Sequence, residues 1–237
     1  MSDTSAPQDG VDERDRVGDE AQQQARARRS YDRLSHVYGM LSDSSEKRFV
    51  KDAIEELLRP EEGEVILEPG FGTGQALLAL ATGVGETGRV EGIDISDGMV
   101  AQARHRLEHH GLADRIHLQV GSATDMPYAP ATFDAVFMSF TLELFPDDQI
   151  PVVLAECARV LKPTGRLCVA CMSGHGGNAA MEKLYEWSHE HFPSFVDCRP
   201  IDAPGALEAA GYAVTTVRPL TMWGLAVDLV LAAPPHV

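Results

Sequence analysis

VILEPGFGTGQ, residues 65–75, is an apolar run that breaks into glycine at every second position, Gly70, Gly72 and Gly74. A strand that runs into a glycine-rich turn is a common seat for a nucleotide-like ligand. A dinucleotide fingerprint, G-x-G-x-x-G, would require glycine at position 75, where Gln75 stands. A P-loop would end in Gly-Lys-Ser/Thr, and this stretch holds no lysine. Glu68, two residues before the first glycine, would repel a pyrophosphate and attract an ammonium or a sulfonium.

Outward from the turn, the chain alternates strands and helices. EVILEP is followed by the helical GQALLALATGVG, RVEGIDIS by DGMVAQARHRLEHHG with Ser96 as its cap and Gly111 as its stop, and RIHLQV is a third strand. FDAVFMSF leads to a helix over IPVVLAECARVLKP, and GRLCVACMS is the fifth strand. This rhythm predicts an α/β fold with a mostly parallel sheet covered on both faces. AVTTVRPLTMWGLAVDLVLA reads as two β-rich runs with a link too short for a parallel crossover, hence a C-terminal antiparallel hairpin.

Toward the N-terminus, Phe49, Ile54 and Leu57 mark one face of a helix that Pro60 ends, and Tyr31, Leu34, Tyr38 and Leu41 mark an earlier one. The expected organisation is a disordered acidic tail over 1–22, a helical lid over 23–60 and the α/β domain over 61–237. Within that domain, 174–200 is an aromatic- and histidine-rich insertion on the substrate side.

The chain has 237 residues and a formal charge of −16, with 36 acids against 20 bases. That balance argues against nucleic acid as a partner, because a phosphate backbone selects basic faces. The lysines are confined to Lys47, Lys51, Lys162 and Lys183. An acid-rich, lysine-poor surface suits high salt or an arginine-biased genome, and the first is preferred. No apolar run reaches the about 18 residues of a membrane span. The first residues lack an apolar leader, so a cytoplasmic location is expected. Cys168 and Cys171 are spaced like a chelating pair, but on a strand positions three apart face opposite ways. They read as buried structural thiols, as does Cys157, and no metal site is expected.

The loop LEPGFGTG resembles the acid-x-G-x-G-x-G turn of the class I S-adenosylmethionine-dependent methyltransferases. Asp94 in EGIDIS, twenty residues beyond Gly74, stands where an acid accepts both ribose hydroxyls, a spacing that NAD enzymes share. VGSATDMPY resembles the family's turn beside adenine, with Ser122 in place of its usual aspartate, and FDAVFMSFTLELF resembles the motif facing the transferred methyl. ECARVLKPTGRL resembles a segment common in the same family, and within it YDRLSHVYGML and WGLAVDLVLA are similar to segments of the ubiquinone/menaquinone biosynthesis group, so the likeness covers roughly 28–233.

The resemblance implies a Rossmann-like three-layer sandwich with a seven-stranded sheet and S-adenosyl-L-methionine as cofactor. It places Tyr38, Glu68, Gly70, Phe71, Gly72, Thr73, Gly74, Asp94, Ile95, Met99, Ser122, Ala123 and Ser139 around that cofactor, with Tyr31, Phe140 and Arg199 toward the substrate. The implied activity is in-line methyl transfer to a small-molecule acceptor, quinone- or phenol-like or another small nucleophile. A cofactor-binding regulator without catalysis and an NAD(P)-dependent oxidoreductase are the alternatives.

A base is needed only if the acceptor must lose a proton. Glu143, in the apolar FTLELF, is the first candidate, with a cap of the next turn or a pair with Arg159 as its structural alternative. His175 and His189 follow, with His191, Asp197 and Cys198 nearby in the insertion. Arg199 would bind an anionic group or pair with a neighbouring acid. His105 and His109, one helical turn apart, read as a solvated face. The sequence leaves open whether the chain forms a homodimer.

Overall fold

The computed structural model describes residues 46–174, 199–222 and 224–235. The expected tail, the first part of the lid and most of the insertion lie outside the described residues.

Seven strands form one sheet: β1 Val65–Pro69, β2 Arg89–Asp94, β3 Ile116–Val120, β4 Phe133–Ser139, β5 Leu161–Met172, β6 Ala213–Met222 and β7 Leu225–Ala233. Their order is β3-β2-β1-β4-β5-β7-β6. The five strands from β3 to β5 are parallel, and β7 lies antiparallel to both β5 and β6. The hairpin is therefore present, with its second strand inserted beside β5. The helices are α1 Glu46–Asp52, which widens into a π-helical turn over Ala53–Leu58, then α2 Gln75–Gly83, α3 Asp97–His110, α4 Ile150–Val160 and α5 Ala203–Ala209.

Alternation along the buried strands builds two cores. Ile66, Phe137, Cys168 and Ala170 face the layer of α1, α2 and α3, where Phe49, Ile54, Leu77, Leu80 and Leu107 cover them. Leu67, Val136, Val169 and Cys171 face α4 and α5, with Leu154, Cys157, Val160 and Leu207. Each core excludes water from one face of the sheet, which is what makes the three-layer arrangement stable. Cys168 and Cys171 fall in opposite cores, as their spacing requires.

Local signals fix the helix ends. The Ser96 hydroxyl accepts the Met99 N–H at 3.3 Å, and Gly111 stops α3 at a φ of 66°. The helix expected through Pro163 ends at Val160 instead, because Leu161 pairs with Phe133 as β5 begins. At the end of the π-helical turn, Arg166 donates to the Leu58 and Arg59 carbonyls at 2.6 and 3.0 Å. It also grips both Glu64 oxygens at 2.7 and 2.8 Å. One guanidinium thus satisfies carbonyls that a helix end leaves orphaned and binds the helix to the sheet.

The chain moves outward from β1 to β3 and then returns to β4 on the other side of β1. At such a reversal the connections leave in opposite directions, so a crevice opens at the carboxyl ends of β1 and β4. The glycine turn and the Ser139–Thr141 segment both lie at that opening.

Candidate active site

The glycine turn leaves β1 with three residues at positive φ, Gly70 at 67°, Gly72 at 53° and Gly74 at 78°. Their reasons differ. A Cβ on Gly70 would fall 2.2 Å from Thr141 Cγ2, and one on Gly74 would fall 2.9 Å from Ala103 Cβ. These two glycines are required by the protein's own packing. Among the described residues, a Cβ on Gly72 would meet nothing within 4 Å. Its side of the backbone opens into space, as a cradle for a ligand must.

Backbone amides tie the turn to β2. Gly70 N–H donates to the Ile93 carbonyl at 2.7 Å, and Gly72 N–H donates to Asp94 Oδ2 at 2.9 Å. Asp94 Oδ1 accepts the Ser96 N–H at 2.9 Å. Burial pushes the Asp94 carboxyl above its usual range, against the two amide bonds that lower it. Glu68 is 2% exposed, and among the described residues its Oε2 has no hydrogen-bond partner. Burial and then the Asp94 charge push the Glu68 carboxyl well above the usual range. Two buried acids therefore lie close enough for their charges to interact, and one of them, Asp94, is bonded to the turn at Gly72, whose side is open.

Beside them Ile95 is 39% exposed, Met99 is buried and Thr73 is half-buried. Phe71 is buried in the first core and Ala123 in the second. The Ser122 hydroxyl lies 2.7 Å from Thr124 Oγ1 and accepts the Thr124 N–H at 3.2 Å, so it organises its own turn.

At the end of β4, Ser139 is half-buried and Phe140 is buried at a positive φ of 48°. Phe140 N–H donates to the Ala170 carbonyl at 2.7 Å. Glu143 is 1% exposed, in a short 3-10 turn, and its Oε1 accepts the Met172 N–H at 3.0 Å. Arg159 is engaged elsewhere, with Glu156 at 2.7 Å and with the Tyr128 and Met126 carbonyls. Arg199 donates to Asp147 at 2.6 Å and to the Phe145 carbonyl at 2.9 Å. It lines a cavity of about 380 Å³ with Ile150, Ile201 and Ala206, none of which belongs to the glycine turn. His105 and His109 are exposed on α3. Tyr31, Tyr38, His175, His189, His191, Asp197 and Cys198 lie outside the described residues.

The structure thus ties Gly72 to the buried Asp94 by a hydrogen bond, buries Glu68 within reach of the Asp94 charge, and sets Arg199 in a separate hollow. Thr141, which joins Gly70 to β4, lies within the FDAVFMSFTLELF motif, but sequence reasoning gave it no role; the only signal was a hydroxyl in a largely apolar run.

A family described as a methyltransferase domain matches residues 66–165. The nocamycin O-methyltransferase of Saccharothrix syringae is 30% identical over 210 residues, 77% of this chain and 70% of that one. The chain belongs to the S-adenosylmethionine-dependent methyltransferases. The demethylmenaquinone methyltransferase of Halalkalibacterium halodurans is 35% identical over 142 residues, which is 60% of this chain. That match spans 56% of the relative, a little over half its length. A crystal structure of a SAM dependent methyltransferase from Aquifex aeolicus shares the fold, with a TM-score of 0.60 and 24% identity over 79% of this chain and 88% of that one.

The cofactor of this methyltransferase family fits the residues present. The orphaned Glu68 oxygen suits a cationic donor, and the open side of Gly72 admits a ligand against the backbone. Asp94 lies beneath the same turn with its carboxylate already oriented by two amides.

Proposed function

We propose that the protein transfers a methyl group from S-adenosylmethionine to a small-molecule nucleophile, with quinol- and phenol-like acceptors the first class to test. The observation that carries this reading is the open side of Gly72 among the described residues, its N–H bonded to the buried Asp94, whose charge acts on the buried Glu68. When bound, the cofactor supplies a methyl group already activated on a sulfonium.

The remaining task for the chain is alignment and exclusion of water. Gly70, Gly72 and Gly74 shape the cradle, Glu68 offers an acceptor to a cationic group, and Asp94 offers one to hydroxyls. Thr73, Ile95, Met99, Ser122, Ala123 and Ser139 are proposed to complete the cofactor's surroundings, with Phe71 supporting the turn from below. Glu143, through the Met172 amide, fixes the ends of β4 and β5 against each other, which supports a positioning role at the acceptor side. His175 and His189 are carried forward as proposed bases, and Tyr31, Tyr38 and Phe140 as proposed contacts, on sequence alone. The Arg199 charge is matched by Asp147, so a contact with an anionic acceptor would require breaking that pair.

No described helix is long and apolar enough to cross a membrane. A cytoplasmic location is part of the proposal.

Calorimetric titration with S-adenosylhomocysteine, with NADPH in parallel, tests the reading. Micromolar binding of the first alone is expected. Label from methyl-labelled cofactor is then expected in products of quinols or phenols. A folded preparation that binds NADPH and not S-adenosylhomocysteine would overturn the proposal.

A further inference from the structure

The end of β4 is held on two sides. Toward β5, Phe140 N–H reaches the Ala170 carbonyl and Glu143 Oε1 accepts the Met172 N–H. Toward β1 the hold is a side chain. Thr141 Oγ1 lies 3.1 Å from the Gly70 carbonyl oxygen and 2.9 Å from the Ser139 carbonyl oxygen, so its one proton is shared between them. Thr141 is 4% exposed, which leaves little room for water to take over that donation.

The position of this contact gives it weight. The β1–β4 ladder pairs Ile66 with Ala135 and Leu67 with Val136, and no pairing of those two strands continues beyond them among the described residues. Past that point the crevice begins, and the Thr141 hydroxyl spans it. Gly70 is therefore held through its N–H by β2 and through its carbonyl by Thr141, at a φ of 67°. The methyl of Thr141 also fills the space where a side chain at 70 would stand.

We propose that Thr141 is a positioning residue for the cofactor, an inference that rests on the methyltransferase reading. Its hydroxyl keeps the turn from Gly70 to Gly74 in the form that receives the cofactor, and it ties that turn to the β4 end proposed to meet the acceptor. The residue acts through Gly70 and needs no contact with the ligand.

T141V keeps the shape and removes the donor, whereas T141S keeps the donor and removes the methyl. Each is titrated with S-adenosylhomocysteine beside the parent, and the ligand-free unfolding midpoint is recorded. T141V is expected to bind about tenfold more weakly, the equilibrium equivalent of one lost buried hydrogen bond, and T141S close to the parent. If T141V fails to fold, T141S and T141A differ only in the hydroxyl, and the same ratio is expected between them. Parental affinity in T141V, or T141S as weak as T141V, would overturn the assignment. Absence of binding in a folded parent would overturn the cofactor reading itself, and this inference with it.

Discussion

Alanine at position 72 is expected to weaken cofactor binding while leaving the fold standing. The added methyl meets no atom of the described residues within 4 Å, so their packing does not resist it. The remaining cost is the left-handed backbone, about 1–2 kcal/mol, or a few degrees in the unfolding midpoint of a chain this size. The methyl does, however, enter the space proposed for the ligand. Overpacking of about 1–3 kcal/mol there weakens S-adenosylhomocysteine by roughly 5- to 150-fold. Gly70→Ala makes the contrast. Its Cβ would fall 2.2 Å from Thr141 Cγ2, so the loss appears first as stability, about 2–5 kcal/mol from overpacking and backbone strain together. Melting curves and calorimetry on the two variants separate these effects. A G72A protein that binds like the parent would show that the open side of the turn is not where the ligand lies.

Glu68→Gln is expected to stabilise the ligand-free protein as pH rises and to weaken it as a receptor. Burial and the Asp94 charge hold the folded-state pKa of Glu68 above its unfolded value. An acid shifted that way contributes its stability fully below the unfolded pKa and loses it as pH climbs through the folded one. Glutamine carries no such loss. The difference in unfolding free energy between E68Q and the parent should therefore be small in acid and grow toward alkaline pH, reaching about 1–3 kcal/mol, the scale of an unsatisfied buried group. Asp94 is shifted in the same direction and repels Glu68, so the comparison reports Glu68 together with that repulsion. Affinity for S-adenosylhomocysteine is expected to fall, because the amide puts a donor where an acceptor is needed. Such a trade of stability for binding is common where a site keeps an unpaired group. If E68Q melts below the parent at high pH, the carboxylate is better accommodated than its burial implies.

The sheet was legible because its pattern is local. Ile66 and Leu67 part to opposite cores by strand alternation, and the same alternation separates Cys168 from Cys171. The caps at Ser96 and Gly111 were equally readable, since each acts within a few residues. Insertion of β7 beside β5 was not legible, because pairings such as Leu167 with Ala232 depend on segments far apart in the chain. The site divides in the same way. The glycine turn announced itself by composition, yet only the structure separates Gly72, open to a ligand, from Gly70 and Gly74, pressed by Thr141 and Ala103. For Glu143 the sequence offered Arg159 as an ion-pair partner, whereas its oxygen takes the amide of Met172. A backbone amide has no signature in a sequence, and neither has the Gly70 carbonyl that Thr141 holds.

The placement of the thiols turns the molecule into its own labelling experiment. Burial pushes Cys157 and Cys168 up to about 12 and raises Cys171 as well, so all three are inert to alkylation while the layers stay closed. Cys168 lies beneath the π-helical turn, its Sγ 3.9 Å from the Ala53 carbonyl. Cys157 and Cys171 lie under the opposite layer. The order in which a maleimide reaches them reports which coat of helices lifts from the sheet first, with no probe introduced.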